Sequence, residues 1–230
     1  MANPAEILRS LLFYVLYYCG TLILVLLALP VSLVNNRWAF PIIGLWAKLH
    51  RICVTSLLGI RVELRGVLPS GGVLVAMKHE SFFDALELPG LFSRPIVFAK
   101  AELLRIPVWG WLGGVHGLIP VEREAGARAL RSMLGAARKL IGTGRVFVIF
   151  PEGTRVPHGQ APQLQAGFAA LYKALGLPVV PIAVNSGTLY HRSWKKRGTI
   201  TFEVGETIPL GLPRSEVEAR VREAINRLND

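Results

Sequence analysis

Cysteine, methionine and acidic residues are all scarce in this 230-residue sequence, which has two cysteines, three methionines and 15 Asp and Glu against 26 Lys and Arg. Cys19 lies inside an apolar run and Cys53 beside basic residues. With no C-x-x-C spacing and no histidine at ligand distance, the pair argues against a zinc site or a disulfide scaffold and fits reduced cytosolic thiols. No G-x-S-x-G occurs, which removes support for a serine-hydrolase elbow. Internal repeats and low-complexity stretches are also missing. The shortage of carboxylates leaves a net charge of +11, which favours anionic partners. The cations are not clustered with aromatics as in a nucleic-acid reader, and 52% hydrophobic content points to an acidic membrane surface instead.

What is abundant is apolar sequence near the start. Leu11 to Val34 is 24 residues without a charge. As a helix it would extend about 36 Å, enough to cross a hydrocarbon core of about 30 Å. Its length and the absence of a small-x-small site argue against a cleaved signal peptide. Trp38 to Leu58 follows, with Trp46, Lys48, His50 and Arg51 breaking up the apolar residues, a composition of interfacial character. A single span and a helical pair entering one leaflet are both compatible, and Asn35, Asn36 and Pro41 supply a turn for the pair. The division expected is residues 1–58 as a membrane-associated helical pair and 59–230 as an α/β domain.

After Gly59 short apolar runs alternate with helical periodicity. Strands are predicted at Arg61–Leu64, Val73–Met77, Ile96–Ala99, Val115–Val121, Val146–Phe150, Pro178–Val184 and Thr199–Val204. Between them, helices are read from about Phe82 to Phe92, from Glu124 to Ile141 and around Leu164 to Leu175. A last one carries Val217 to Leu228, with Ser215 and Glu218 spaced as a capping box. The fold class is therefore α/β, a largely parallel central sheet flanked by helices.

Five strand ends carry polar residues. Lys78–Asp84, KHESFFD, leaves the strand at Val73–Met77, so His79 emerges at the carboxyl edge where open α/β sheets bind ligands. Ser81 precedes Asp84 by three residues and reads as a helix N-cap with an acidic third helical residue. An imidazole beside a carboxylate able to hold its other nitrogen is the minimum general-base pair for a hydroxyl. The plain alternative is a loop histidine next to a helix cap. FPEGTR, Phe150–Arg155, follows a second buried strand. Its glycine permits close backbone approach and its arginine suits phosphate. Gly117–Arg123 ends on Arg123, Val97–Lys100 on Lys100, and Pro181–Gly187 on an Asn-Ser-Gly turn.

The order and spacing of these blocks resemble the 1-acyl-sn-glycerol-3-phosphate acyltransferases, the lysophosphatidic acid acyltransferase family in its bacterial type, from about Arg61 to Ile208. The resemblance implies a glycerolipid acyltransferase-like fold with an N-terminal membrane-associated two-helix element. It implies His79 as general base and Asp84 as its orienting partner. Lys100, Arg123 and Arg155 would hold the acceptor phosphate, and Glu152, Gly153 and Thr154 would shape its site. No cofactor or metal is implied. Acyl-CoA or acyl-acyl carrier protein would be co-substrate, lysophosphatidate the acceptor, and the cytoplasmic face of the inner membrane the location. Two departures stand out: Lys78 where the family commonly has asparagine, and Pro120 and Glu122 in the second block. Lys78 is expected to act as a cation beside His79. Another lyso-lipid acceptor, such as a lyso-ornithine lipid, and a non-catalytic membrane-binding protein of the same fold are the competing readings.

Overall fold

The structure is a computed structural model that describes residues 3–35, 38–122 and 126–229. Seven strands form one sheet in the order β1-β7-β6-β2-β5-β3-β4. They are β1 (Ile60–Arg65), β2 (Leu74–Met77), β3 (Ile96–Lys100), β4 (Leu118–Val121), β5 (Phe147–Ile149), β6 (Val179–Val184) and β7 (Gly198–Val204). Every adjacent pair is parallel except β6 with β7. The strands from β6 to β4 therefore deliver their carboxyl ends to one edge, and β1 and β7 run the other way. The two central strands β2 and β6 are buried at every residue, as continuous apolar runs covered on both faces must be.

Helices cover both faces. One layer holds α1 (Pro4–Val34), α2 (Ala39–Ile52), a π-helical turn at Cys53–Leu57, and α3 (Phe82–Leu91). In its core Phe13 and Tyr17 of α1 join Val75, Met77, Phe83 and Ile182. The other layer holds α5 (Gly126–Arg138), α6 (Ala166–Leu175) and α7 (Arg214–Ile225), packed around Leu74, Ala76, Phe147, Phe168 and Val217. Along β2 the side chains alternate between these cores, Leu74 and Ala76 to one, Val75 and Met77 to the other.

The helical pair is antiparallel: Thr21 accepts from the Trp46 indole at 3.0 Å, and Ala28 packs by Ala39. It is tied to the sheet layer through buried polar groups. His50 of α2 bonds Glu87 of α3 at 2.7 Å and Tyr190 at 3.0 Å, and Arg51 donates to the same carboxylate. The outer face of α1 remains apolar and exposed from Leu8 to Val34.

Two local expectations fail. Val115, read as the start of a strand, lies in α4 (Trp109–His116), and β4 begins only after Gly117, whose φ of +123° stops the helix. Ser215 does not cap α7: the N-cap is Pro213, and Glu218 pairs instead with Arg214 at 3.0 Å. The last residue of α4, His116, is buried with neither ring nitrogen bonded among the described residues. Burial, then the nearby Arg145 and Arg94, hold its pKa down at about 4. A depressed histidine adds stability above its unfolded pKa of about 6.5 and loses it as pH falls toward the folded value. His116→Leu should remove that slope, leaving the variant about 2 kcal/mol less acid-sensitive than wild type between pH 7 and 5 in chemical denaturation. Equal slopes would show that the imidazole is not the group concerned.

Candidate active site

The loop Lys78–Ser81 connects β2 to α3 at the carboxyl edge of the sheet, and its conformation follows from the helix start. Ser81 is the N-cap, its hydroxyl accepting from the Phe83 amide, and Asp84 at the third helical position reaches back to the Ser81 amide at 2.9 Å. The same oxygen accepts from the Glu80 amide at 2.7 Å and lies 3.1 Å from His79 Nδ1. Its other oxygen accepts from the Ser186 hydroxyl at 2.6 Å, and Ser186 also meets the Ser81 hydroxyl at 2.7 Å. Asp84 is fully buried, while the His79 side chain keeps 16% exposure. One carboxylate thus serves as helix cap and imidazole partner together. Nδ1 is committed to Asp84, which leaves Nε2 as the ring nitrogen without a bonded partner among the described residues. Phe150 stacks on the imidazole with centroids 4.1 Å apart, fixing its plane.

The FPEGTR turn is tied to this loop through its backbone, the Val156 amide donating to the His79 carbonyl at 2.7 Å. Gly153 has φ of +74°, and a β-carbon there would meet Gln165 Cγ at 2.6 Å, so the turn requires glycine. Glu152 is closed off from solvent. Its carboxylate accepts from Lys78 Nζ at 2.6 Å and from the His79 amide at 3.2 Å. Burial pushes its pKa up, and Lys78 and the His79 amide partly offset this. The expectation that Lys78 acts as a cation beside the His79 imidazole is overturned. Its ammonium is buried on the opposite side of β2, also donating to the Gln160 carbonyl and Asn226 Oδ1, each at 2.7 Å. Strand alternation explains this, since Lys78 shares the side of Leu74 and Ala76, and His79 that of Val75 and Met77.

The expected phosphate ligands are placed as follows. Arg155 is exposed, with its guanidinium 4.0 Å from the centroid of Phe82, the first residue of α3, and hence beside the His79 loop; Thr154 is exposed next to it. Lys100 ends β3, two strands from β2, or about 10 Å at the usual strand spacing, and it ion-pairs with Glu102 at 3.1 Å. Arg123 lies outside the described residues. Glu80 was not anticipated: buried, it accepts from the Gly187 amide at 2.7 Å and meets His158 Nδ1 at 2.9 Å, joining three of the loops. Burial raises its pKa, opposed first by the Gly187 bond and then by His158.

An oriented imidazole at a sheet edge, partly open to solvent, with a guanidinium over the neighbouring Phe82 ring, is equipped to take a proton from a hydroxyl near an anionic group. Comparisons with known proteins agree in kind. The family model described as Acyltransferase matches residues 59–185. The 1-acyl-sn-glycerol-3-phosphate acyltransferase of Pseudomonas aeruginosa is 30% identical over 99% of this chain and 88% of its own length. The human 1-acyl-sn-glycerol-3-phosphate acyltransferase alpha is 31% identical over 81% of this chain and 67% of its own. The crystal structure of the 1-acyl-sn-glycerophosphate acyltransferase of Thermotoga maritima superposes with a TM-score of 0.75 over 97% of this chain and 96% of that one; at 22% identity it speaks for the fold. Through its family-model match and its near full-length relative, this chain belongs to the 1-acyl-sn-glycerol-3-phosphate acyltransferase family and is an enzyme of acyl transfer.

Proposed function

We propose that the chain moves a fatty acyl group from acyl-CoA or acyl-acyl carrier protein to the sn-2 hydroxyl of 1-acyl-sn-glycerol-3-phosphate, giving phosphatidic acid. The observation that carries this reading is His79, held through Nδ1 by the buried, four-times-bonded Asp84, which leaves Nε2 as the ring nitrogen able to accept a proton. Nε2 takes the hydroxyl proton as the oxygen attacks the thioester carbonyl. The tetrahedral intermediate collapses, the carbon–sulfur bond breaks, and the imidazolium returns the proton to the leaving thiolate. Asp84 keeps the imidazole in the tautomer that accepts at Nε2 and stabilises the transient cation. Arg155 beside Phe82 is the natural phosphate ligand, with Arg123 joining it on the family resemblance; a guanidinium grips phosphate through two parallel bonds. Glu152 contributes by fixing the His79 backbone, and Gly153 by allowing the turn.

The long apolar α1 and the interfacial α2 would hold the enzyme on the cytoplasmic face of the inner membrane, where acceptor lipid and cytosolic donor meet. Purified enzyme given one acyl-CoA and a panel of lyso-lipids is expected to form phosphatidic acid fastest. A product spectrum dominated by acylated ornithine lipid, with lysophosphatidate left intact, would reassign the acceptor.

A further inference from the structure

Between β3 and β4 the chain runs through a 3-10 turn, Ala101–Arg105, into α4, and Ile106 to Val115 is ten residues without a charge. The inner side of this segment is accounted for. Leu112 is buried and Val108 half-buried against Ala28 of α1 and Ala39 and Ile42 of α2. The outer side is not: Ile106 is 47% exposed and Trp111 39%, Pro107 is exposed ahead of the helix, and Trp111 and Gly114 lie exposed at helical spacing on it.

What covers this side is indicated by its neighbours. Ala28 is flanked on α1 by Leu26 and Leu27, exposed by 60% and 55%, so the outer side of α4 continues the apolar face of α1. Its borders are basic and exposed, with Arg105 at one end and Arg94, 3.9 Å over the Phe40 ring of α2, at the other. Tryptophan amid apolar residues with arginines at the margin is the composition of a surface seated at lipid headgroups.

We propose that Ile106–Val115 is a second membrane contact, lying in the headgroup region of an anionic bilayer beside α1. The segment is joined through the turn Ala101–Arg105 to Lys100 at the carboxyl edge of the sheet, so its docking turns the edge that carries His79 toward the bilayer surface. The inference rests on the membrane reading of α1, and the two are separable by experiment.

The native Cys19 sits on the exposed face of α1, whereas Cys53 is buried and shielded from labelling. An environment-sensitive fluorophore on Cys19 of the wild-type chain reports α1. In a Cys19→Ser background, the same fluorophore on Ile106→Cys reports α4, and on Ala219→Cys it reports α7 on the opposite layer. With phosphatidylglycerol-containing vesicles, emission should shift to the blue and brighten at the first two positions and stay unchanged at the third. A shift at position 19 alone would overturn the α4 contact and leave the α1 reading standing; no shift at either would overturn both. A blue shift at 106 that grows with protein concentration without vesicles would show a contact between two copies instead. As a label-free measurement, Ile106→Asp should weaken vesicle sedimentation about tenfold, the scale of one lost apolar anchor, with circular dichroism unchanged. Undiminished sedimentation would count against the contact.

Discussion

Asp84→Asn is expected to lower kcat about a thousandfold while sparing most of the stability, because the two roles of this side chain ask for different things. As a cap, Asp84 needs only an acceptor facing the amides of Glu80 and Ser81. An asparagine oriented with its oxygen toward them keeps those bonds, and its amide can donate to the Ser186 hydroxyl. The expected cost is about 1 kcal/mol, the difference between charged and neutral acceptors. As partner to His79, the carboxylate must stabilise an imidazolium, and a neutral amide cannot. Asp84→Ala should lose both functions and unfold at clearly lower denaturant. Turnover within about tenfold of wild type in Asp84→Asn would reduce Asp84 to a cap.

Lys78→Met should produce the largest loss of stability, about 3 to 5 kcal/mol, since it strands the Glu152 carboxylate in the interior. Burial already pushes the Glu152 pKa up, and removing its closest cation adds to that penalty. Lys78→Met combined with Glu152→Leu should recover much of the loss, as replacing a whole buried pair costs far less than breaking it. Urea denaturation of the two single variants and the double measures the coupling directly. A single-variant loss below about 1 kcal/mol would mean that the pair is not intact in solution. Activity in Lys78→Met should fall beyond what unfolding explains, because Glu152 also holds the His79 amide.

The sequence made the sheet and the centre of the site readable for identifiable reasons. β2, β5 and β6 are continuous apolar runs, and Ser81 with Asp84 carries the local spacing of a capping box, which forms as written. What escaped were relations between elements. Lys78 read as a cation beside His79 because its partners, Glu152, Gln160 and Asn226, are distant in sequence, although the alternation along β2 already set it opposite His79. The Glu80, His158 and Gly187 contact joins three loops and has no local signature. At Val115 a helix and a strand compete for the same short apolar run, and packing of Leu112 against α1 and α2 decides for the helix. Phe150, visible in FPEGTR but assigned no part, shares the His79 side of the sheet because β5 and β2 pair in parallel with matched alternation.

Everything in the proposed reaction turns on His79 removing the proton from the lipid hydroxyl. That step is tested most directly by His79→Ala, assayed for phosphatidic acid formed from acyl-CoA and 1-acyl-sn-glycerol-3-phosphate in vesicles, with circular dichroism and vesicle binding measured on the same sample. Product formation should fall by at least about a thousandfold, with helix content and membrane binding unchanged. Transfer persisting at near wild-type rate in the folded, membrane-bound variant would contradict that role of His79.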